Sequence, residues 1–236
     1  MPDGSYSFSL TTFNPSGKLL QIEHALSAVG NGGVSLAIKT SSGIVLATEK
    51  KLPSTLMKSS DIHKVFSLDE HVGCVYSGIG PDARILIAKC RKICQKYNLT
   101  FGSLIPVRIL VKEIANIMQE YTQSGGVRPF GVSILIAGWD LSGPSIYQVD
   151  PSGSFFAWNA TAIGHGSMMA RTYLEKRYSD ELEREDAIHM ALLTIKEIFS
   201  GKLDADNVEV GVVYPDSKFH LLSPSNVQDY LGEVSA

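Results

Sequence analysis

At 236 residues and 44% hydrophobic, the chain is long enough for one large domain or two small ones with a sizeable core. Its net charge of −3 gives no global pull toward nucleic acid or an anionic membrane. No apolar stretch reaches membrane-spanning length, and no basic, apolar leader opens the chain. The three cysteines have no framework spacing and read as small buried side chains of a reducing compartment. Without a leader, Asn98-Leu99-Thr100 and Asn159-Ala160-Thr161 read as chance matches to the glycosylation pattern.

The first ordered stretch reads as an extended arm, a turn and a helix. Pro15 and Gly17 supply the turn in Asn14-Pro15-Ser16-Gly17. Leu19, Ile22, Leu26 and Val29 then share one helical face over 18–29, to be buried in the chain's own core or on a neighbour. Gly30 to Gly33 break this helix. Val34, Leu36 and Ile38 alternate as a strand, Thr40 to Gly43 turn, and Ile44 to Ala47 return. A second hairpin joins Lys64–Leu68 to Val72–Tyr76.

Gly78-Ile79-Gly80-Pro81-Asp82-Ala83 has the spacing of a dinucleotide fingerprint. The motif lacks the βαβ unit and the acid some 20 residues on that such a fold requires, so it reads as a strand-to-helix turn with Pro81 in the first helical turn. Helices are predicted over 82–98 and 106–122. The basic residues Arg84, Lys89, Arg91, Lys92 and Lys96 fall off the first helix's apolar face, with no aromatic partners for nucleic acid. A loop over 124–131 leads to a strand at 132–136, and Gly143-Pro144 turns into Ile146–Val149. After a type I turn at Asp150–Gly153, Phe155 to Ile163 reads as one strand.

Helices follow over 167–178 and 184–200. The acids Asp180, Glu181, Glu183, Glu185 and Asp186 sit where the second helix dipole favours negative charge, which reads as helix initiation rather than a metal site. A hairpin of Val208–Val213 and Phe219–Leu222 precedes a short helix with Ser223 as N-cap and Pro224 at its first position. Strands come in hairpins and helices in pairs, which argues α+β with antiparallel sheets.

Two stretches carry a resemblance. The ordered set Tyr6, Thr11, Phe13, Pro15, Gly17, Leu19, Gln21, Ile22 and Glu23 is similar to the N-terminal signature of proteasome alpha-type subunits, and Gln123 to Ser133 is again similar to them. The resemblance extends over nearly the whole chain. It implies a single domain over 1–236, a four-layer αββα sandwich of the N-terminal-nucleophile hydrolase type, with 1–17 as a gate arm. Ser7 stands where most alpha subunits carry Asp, and His24 where they carry Tyr. A histidine can still hydrogen-bond, but histidine as a residue type changes charge near neutral pH where tyrosine does not.

Catalytic members of that family use a mature N-terminal Thr, whose own α-amine is the base. Laying their pattern on Val34–Glu49 puts the nucleophile position at Gly33, which has no hydroxyl. Glu49 falls where catalytic members carry an Asp, and Lys64 falls near their Lys. Ser35, the nearest hydroxyl, lies inside a strand, and an alternative in which cleavage before Ser35 exposes a nucleophile stays open. No nucleophile elbow, His-Glu-x-x-His or paired Cys motif offers other chemistry. The resemblance therefore implies a non-catalytic member of a seven-membered alpha ring on a beta ring, in cytoplasm and nucleus. By the same resemblance, Tyr6, Ser7, Pro15 and His24 stand at its gate positions, and Gly17, Glu23, Gly32, Lys64 and Ile79 match the pocket between neighbouring alpha subunits that receives the carboxylate tail of a regulatory particle or other activator. No cofactor, nucleic acid or membrane is expected as a partner.

Overall fold

The computed structural model describes residues 12–51, 54, 56–199, 201, 203–216 and 218–235. Helix α1 (Leu20–Gly30) leads into β1 (Ser35–Lys39) and β2 (Ile44–Glu49). A 3₁₀ turn at Ser59–Asp61 precedes β3 (Val65–Asp69) and β4 (Val72–Gly78). Helices α2 (Gly80–Phe101) and α3 (Val107–Gln123) follow, then β5 (Val132–Asp140), β6 (Gly143–Val149), β7 (Phe155–Trp158) and β8 (Ala160–Ile163). The chain continues through α4 (Ser167–Arg177), α5 (Arg184–Ile198), β9 (Val208–Val213), β10 (Phe219–Leu221) and α6 (Pro224–Ser235).

Two antiparallel five-stranded sheets result, ordered β10-β9-β2-β1-β8 and β3-β4-β5-β6-β7. Three buried cores separate four layers. Leu86, Cys90, Leu110 and Ile114 of α2 and α3 pack on Cys74, Ile134 and Ile136 of the second sheet. Ala170, Ile188, Ala191 and Ile195 of α4 and α5 pack on Leu36, Ile38 and Val210 of the first. Ala37, Leu46, Val75 and Leu135 fill the space between the sheets. The αββα sandwich implied by the family resemblance is the fold observed.

Several local readings change. Phe155 to Ile163 is not one strand. Phe155–Trp158 pairs with β6, whereas Ala160–Ile163 pairs with β1, so the chain changes sheets at Asn159. Gly143 and Pro144 lie inside β6, not in the turn before it, and α2 runs on to a left-handed cap at Gly102 with φ of 66°. The stripe on α1 is only partly covered. The helix lies against β4 and β5, with Ala25 and Val29 buried, while Leu19 and Ile22 are half-buried and Leu26 is exposed.

The glycine motif after β4 is a packing device. Gly78, at φ of 119°, presses on the backbone of Gly131, where any side chain would collide. Asp82, in the first turn of α2, accepts from Arg128 Nη1 at 2.6 Å and Nη2 at 2.9 Å, and from the Gly131 N–H at 2.9 Å. Burial opposes charge on Asp82, but the guanidinium and the Gly131 N–H outweigh it and hold the carboxyl below the usual range. The start of α2 is thereby clamped to the loop before β5.

Candidate functional site

Gly33, Glu49 and Lys64 meet at the N-terminal end of β1. Gly33 ends the link from α1, and Glu49 ends the neighbouring strand β2. Lys64 comes from the segment that enters β3. A side chain placed on Gly33 would have its Cβ 3.2 Å from Lys64 Nζ and 3.4 Å from Glu49 Oε2. The Lys64 ammonium donates to Glu49 O at 2.9 Å and, at 3.4 Å, to Gly33 O and Ser35 Oγ. Glu49 Oε2 accepts the Val34 N–H at 3.4 Å. An acid and a lysine thus converge on a position that carries no side chain.

Burial, the largest cause, pulls the Lys64 ammonium down to about 8. Lys51 pushes the same way, while Glu49 and Glu209 oppose it. Ser35 is sealed. It is fully buried, its Oγ is 2.7 Å from Thr48 Oγ1, and it donates to Tyr76 O at 2.8 Å.

Gly32 precedes Gly33 and lies against the Gly78 backbone, the residue before Ile79. A side chain at Gly32 would run into Ser77 Oγ, and Gly32 O accepts the His165 N–H at 2.8 Å. Ile79 donates its N–H to Gly131 O at 2.9 Å and keeps an exposed side chain. Gly17 and Glu23 lie at the other end of α1. Gly17, at φ of 76°, closes the Asn14–Gly17 turn with its N–H on Asn14 O at 2.9 Å. Asn14 Oδ1 accepts from Ser16 Oγ and Lys18 N–H, both at 2.8 Å, and Glu23 pairs with Lys18, not Lys64, at 3.6 Å. Pro15 and His24 are exposed on the turn and on α1, and Tyr6 and Ser7 lie outside the described residues.

Sequence reasoning did not select Ser77 or Glu209. Ser77 is buried on β4, and its Oγ lies 3.1 Å from Val29 O and 3.0 Å from Gly33 O. Glu209, on β9, holds the entry to β3 by accepting the Lys64 and Val65 N–H groups at 2.7 and 2.9 Å. Neither sits in a pattern that marks its role, because each acts on backbone groups distant in the chain. Among the described residues no His, Cys, Asp and Glu cluster could hold a metal ion, and no helix is long and apolar enough to cross a membrane.

The pattern of the proteasome subunit family matches residues 29–213, and the N-terminal signature of the proteasome's A-type subunits matches residues 6–28. The alpha type-2 proteasome subunit of Oryza sativa subsp. indica is 56% identical over 234 residues, covering 99% of this chain and all of the relative. That of Drosophila melanogaster is 54% identical over 229 residues, covering 97% of each. That of Dictyostelium discoideum is 56% identical over 229 residues, covering 97% of this chain and 98% of the relative. The chain belongs to the proteasome subunit family, among its alpha-type members.

Proposed function

We propose that this chain is a non-catalytic alpha-ring subunit of the 20S proteasome core particle that helps gate substrate access and receives activator tails, in ATP- and ubiquitin-dependent protein degradation. The observation that carries the reading is the empty position at Gly33. Lys64 and Glu49 surround it as a nucleophile's partners would, yet there is no hydroxyl and no free α-amine there. Residues 1–236 form one alpha-type domain, in which 1–17 is the gate arm and 18–29 its helix. Tyr6, Ser7, Pro15 and His24 make the gate contacts.

The same strand end supplies the docking chemistry. In a pocket between neighbouring alpha subunits, a tail carboxylate meets the Lys64 cation near the backbone at Gly32 and the exposed Ile79, while Gly17 and Glu23, at the other end of α1, belong to that pocket by the family pattern. The uncovered Leu26 and the half-buried Leu19 and Ile22 support the packing of a neighbouring ring member on α1. Beta-ring subunits and a regulatory particle are the further partners, in cytoplasm and nucleus.

Native mass spectrometry of the particle, read down to the released chain, tests this reading. An uncleaved chain of about 25.6 kDa within a large hetero-oligomer is the expected result. A chain shortened before Ser35 and released from a small particle would overturn it in favour of an N-terminal serine hydrolase.

A further inference from the structure

We propose that Ser77 is the positioning residue through which an anion bound at Lys64 acts on α1, an inference that rests on the docking reading above. A serine hydroxyl carries one proton. Ser77 Oγ has two carbonyls within reach, Val29 O at 3.1 Å in the last turn of α1 and Gly33 O at 3.0 Å at the docking site. It donates to one of them at a time.

Each carbonyl has a second donor. Val29 O accepts the Gly32 N–H at 3.0 Å, and Gly33 O faces Lys64 Nζ at 3.4 Å. The hydroxyl itself is caged. A side chain on Gly32 or Gly164 would run into Ser77 Oγ, and the residue is fully buried. The cage leaves rotation of the hydroxyl as its only freedom.

The two orientations answer to Lys64. While the ammonium faces Gly33 O, that carbonyl is served and the Ser77 proton serves Val29 O. A carboxylate that draws Lys64 Nζ away leaves Gly33 O short of a donor, and the Ser77 proton turns to it. Val29 O then keeps only the Gly32 N–H, and the last turn of α1 loosens. No new contact is required, only a two-position donor biased by the docked charge.

The test uses the assembled core particle and an N-acetylated heptapeptide of neutral residues, with its C-terminal amide as control. Docking at this site is read as protection of Lys64 from reductive methylation. The response of α1 is read as hydrogen exchange at the Asn31 and Gly32 amides, which bond Ser27 O and Val29 O. The free carboxylate is expected to protect Lys64 in both wild type and Ser77→Ala. It should accelerate exchange at those amides about fivefold in wild type, the worth of one neutral hydrogen bond, and leave Ser77→Ala unmoved.

Equal acceleration in Ser77→Ala overturns the relay, as does protection of Lys64 with unchanged exchange in wild type. Unchanged wild-type exchange overturns the relay even if Ser77→Ala does not join the ring. A carboxylate that protects Lys64 no better than the amide would instead sink the docking reading, and the relay with it.

Discussion

The carboxylate of Glu209 accepts the main-chain N–H of Lys64 at 2.7 Å, across the gap between the two sheets. Glu209 belongs to β9 of one sheet, and Lys64 enters β3 at the edge of the other. The same oxygen accepts the Val65 N–H at 2.9 Å, and Oε1 lies 2.8 Å from His63 Nδ1. One buried carboxylate therefore fixes where the Lys64 ammonium stands and adds to its charge stabilisation. Glu209→Gln keeps an acceptor but removes the charge. The Lys64 methylation rate in the particle should then show its midpoint below the wild-type value of about 8. Glu209→Ala also removes the acceptor, and should lower the opening free energy of β3, read by hydrogen exchange, by about 2 kcal/mol. An unshifted midpoint in Glu209→Gln would show that Glu209 acts through geometry alone.

The clamp at the start of α2 has an acid-side signature. The Asp82 carboxyl titrates below the usual range in the folded chain, so its contribution is complete above the unfolded value of about 4 and is lost as pH falls through the folded value. Arg128 is 56% exposed, and solvent screening trims the pair. Asp82→Asn keeps one oxygen to accept the Gly131 N–H but removes the charge and turns an amide NH2 toward the guanidinium, and is expected to cost about 1–2 kcal/mol of local stability near neutral pH. Hydrogen exchange at Gly131 should converge between wild type and variant as the pH is lowered, and a constant gap would remove the carboxylate from the account.

Much of this arrangement was legible in the sequence, and what was not has physical causes. Family resemblance puts Gly33, Glu49 and Lys64 together, and the structure brings them within contact distance. The Asn14–Gly17 turn and the Ser223 cap followed from local chemistry. Ser223 Oγ accepts the Asn226 N–H at 3.3 Å, as an N-cap should. Local patterns do not say which sheet a strand joins. Phe155 to Ile163 is extended throughout, so its periodicity could not reveal that Asn159 passes the chain from β6 to β1. Strands β2 and β9 are buried on both faces, which erases the alternation that marks a half-exposed strand. The stripe on α1 has the right spacing and buries Val29, but Ala25, too small to stand out in the pattern, shares the buried contact while Leu26 stays open.

The missing side chains at Gly73 and Gly211 seat the ring of Phe219. A Cβ on Gly73 would meet that ring directly, and one on Gly211 would stand 2.7 Å from Phe219 Cζ and 2.8 Å from Val65 Cγ1. Gly73 lies on β4 and Gly211 on β9, so Phe219 closes the gap between the sheets near their β3 and β10 edges. Its N–H is tied to Glu70 O at 2.7 Å, which leaves the ring little room to retreat. Gly73→Ala is expected to cost about 1–3 kcal/mol by overpacking, read as faster hydrogen exchange in β10. Adding Phe219→Leu should recover part of that loss, and a strictly additive pair would show that the two sites do not share the space.

The empty position at Gly33 can be filled to test what catalysis requires. Gly33→Thr would bring a hydroxyl beside Lys64 Nζ, which lies 3.2 Å from the Cβ position, and beside the Glu49 carboxylate. Three parts of a threonine hydrolase would then be present. The fourth, a free α-amine to take the hydroxyl proton, would not, because the nitrogen of residue 33 stays in a peptide bond to Gly32. The variant should therefore add no hydrolysis of peptide substrates and no labelling of this chain by a hydroxyl-directed covalent inhibitor. The same Gly33→Thr variant shortened to begin at position 33, with its initiator methionine trimmed to expose the amine, is the matching positive arm. Labelling of the full-length variant would mean that Lys64, whose ammonium loses its proton at about 8, can itself serve as the base. Silence from the full-length chain and a signal from the trimmed one would show that hydrolysis at this position needs a released amine as much as a hydroxyl.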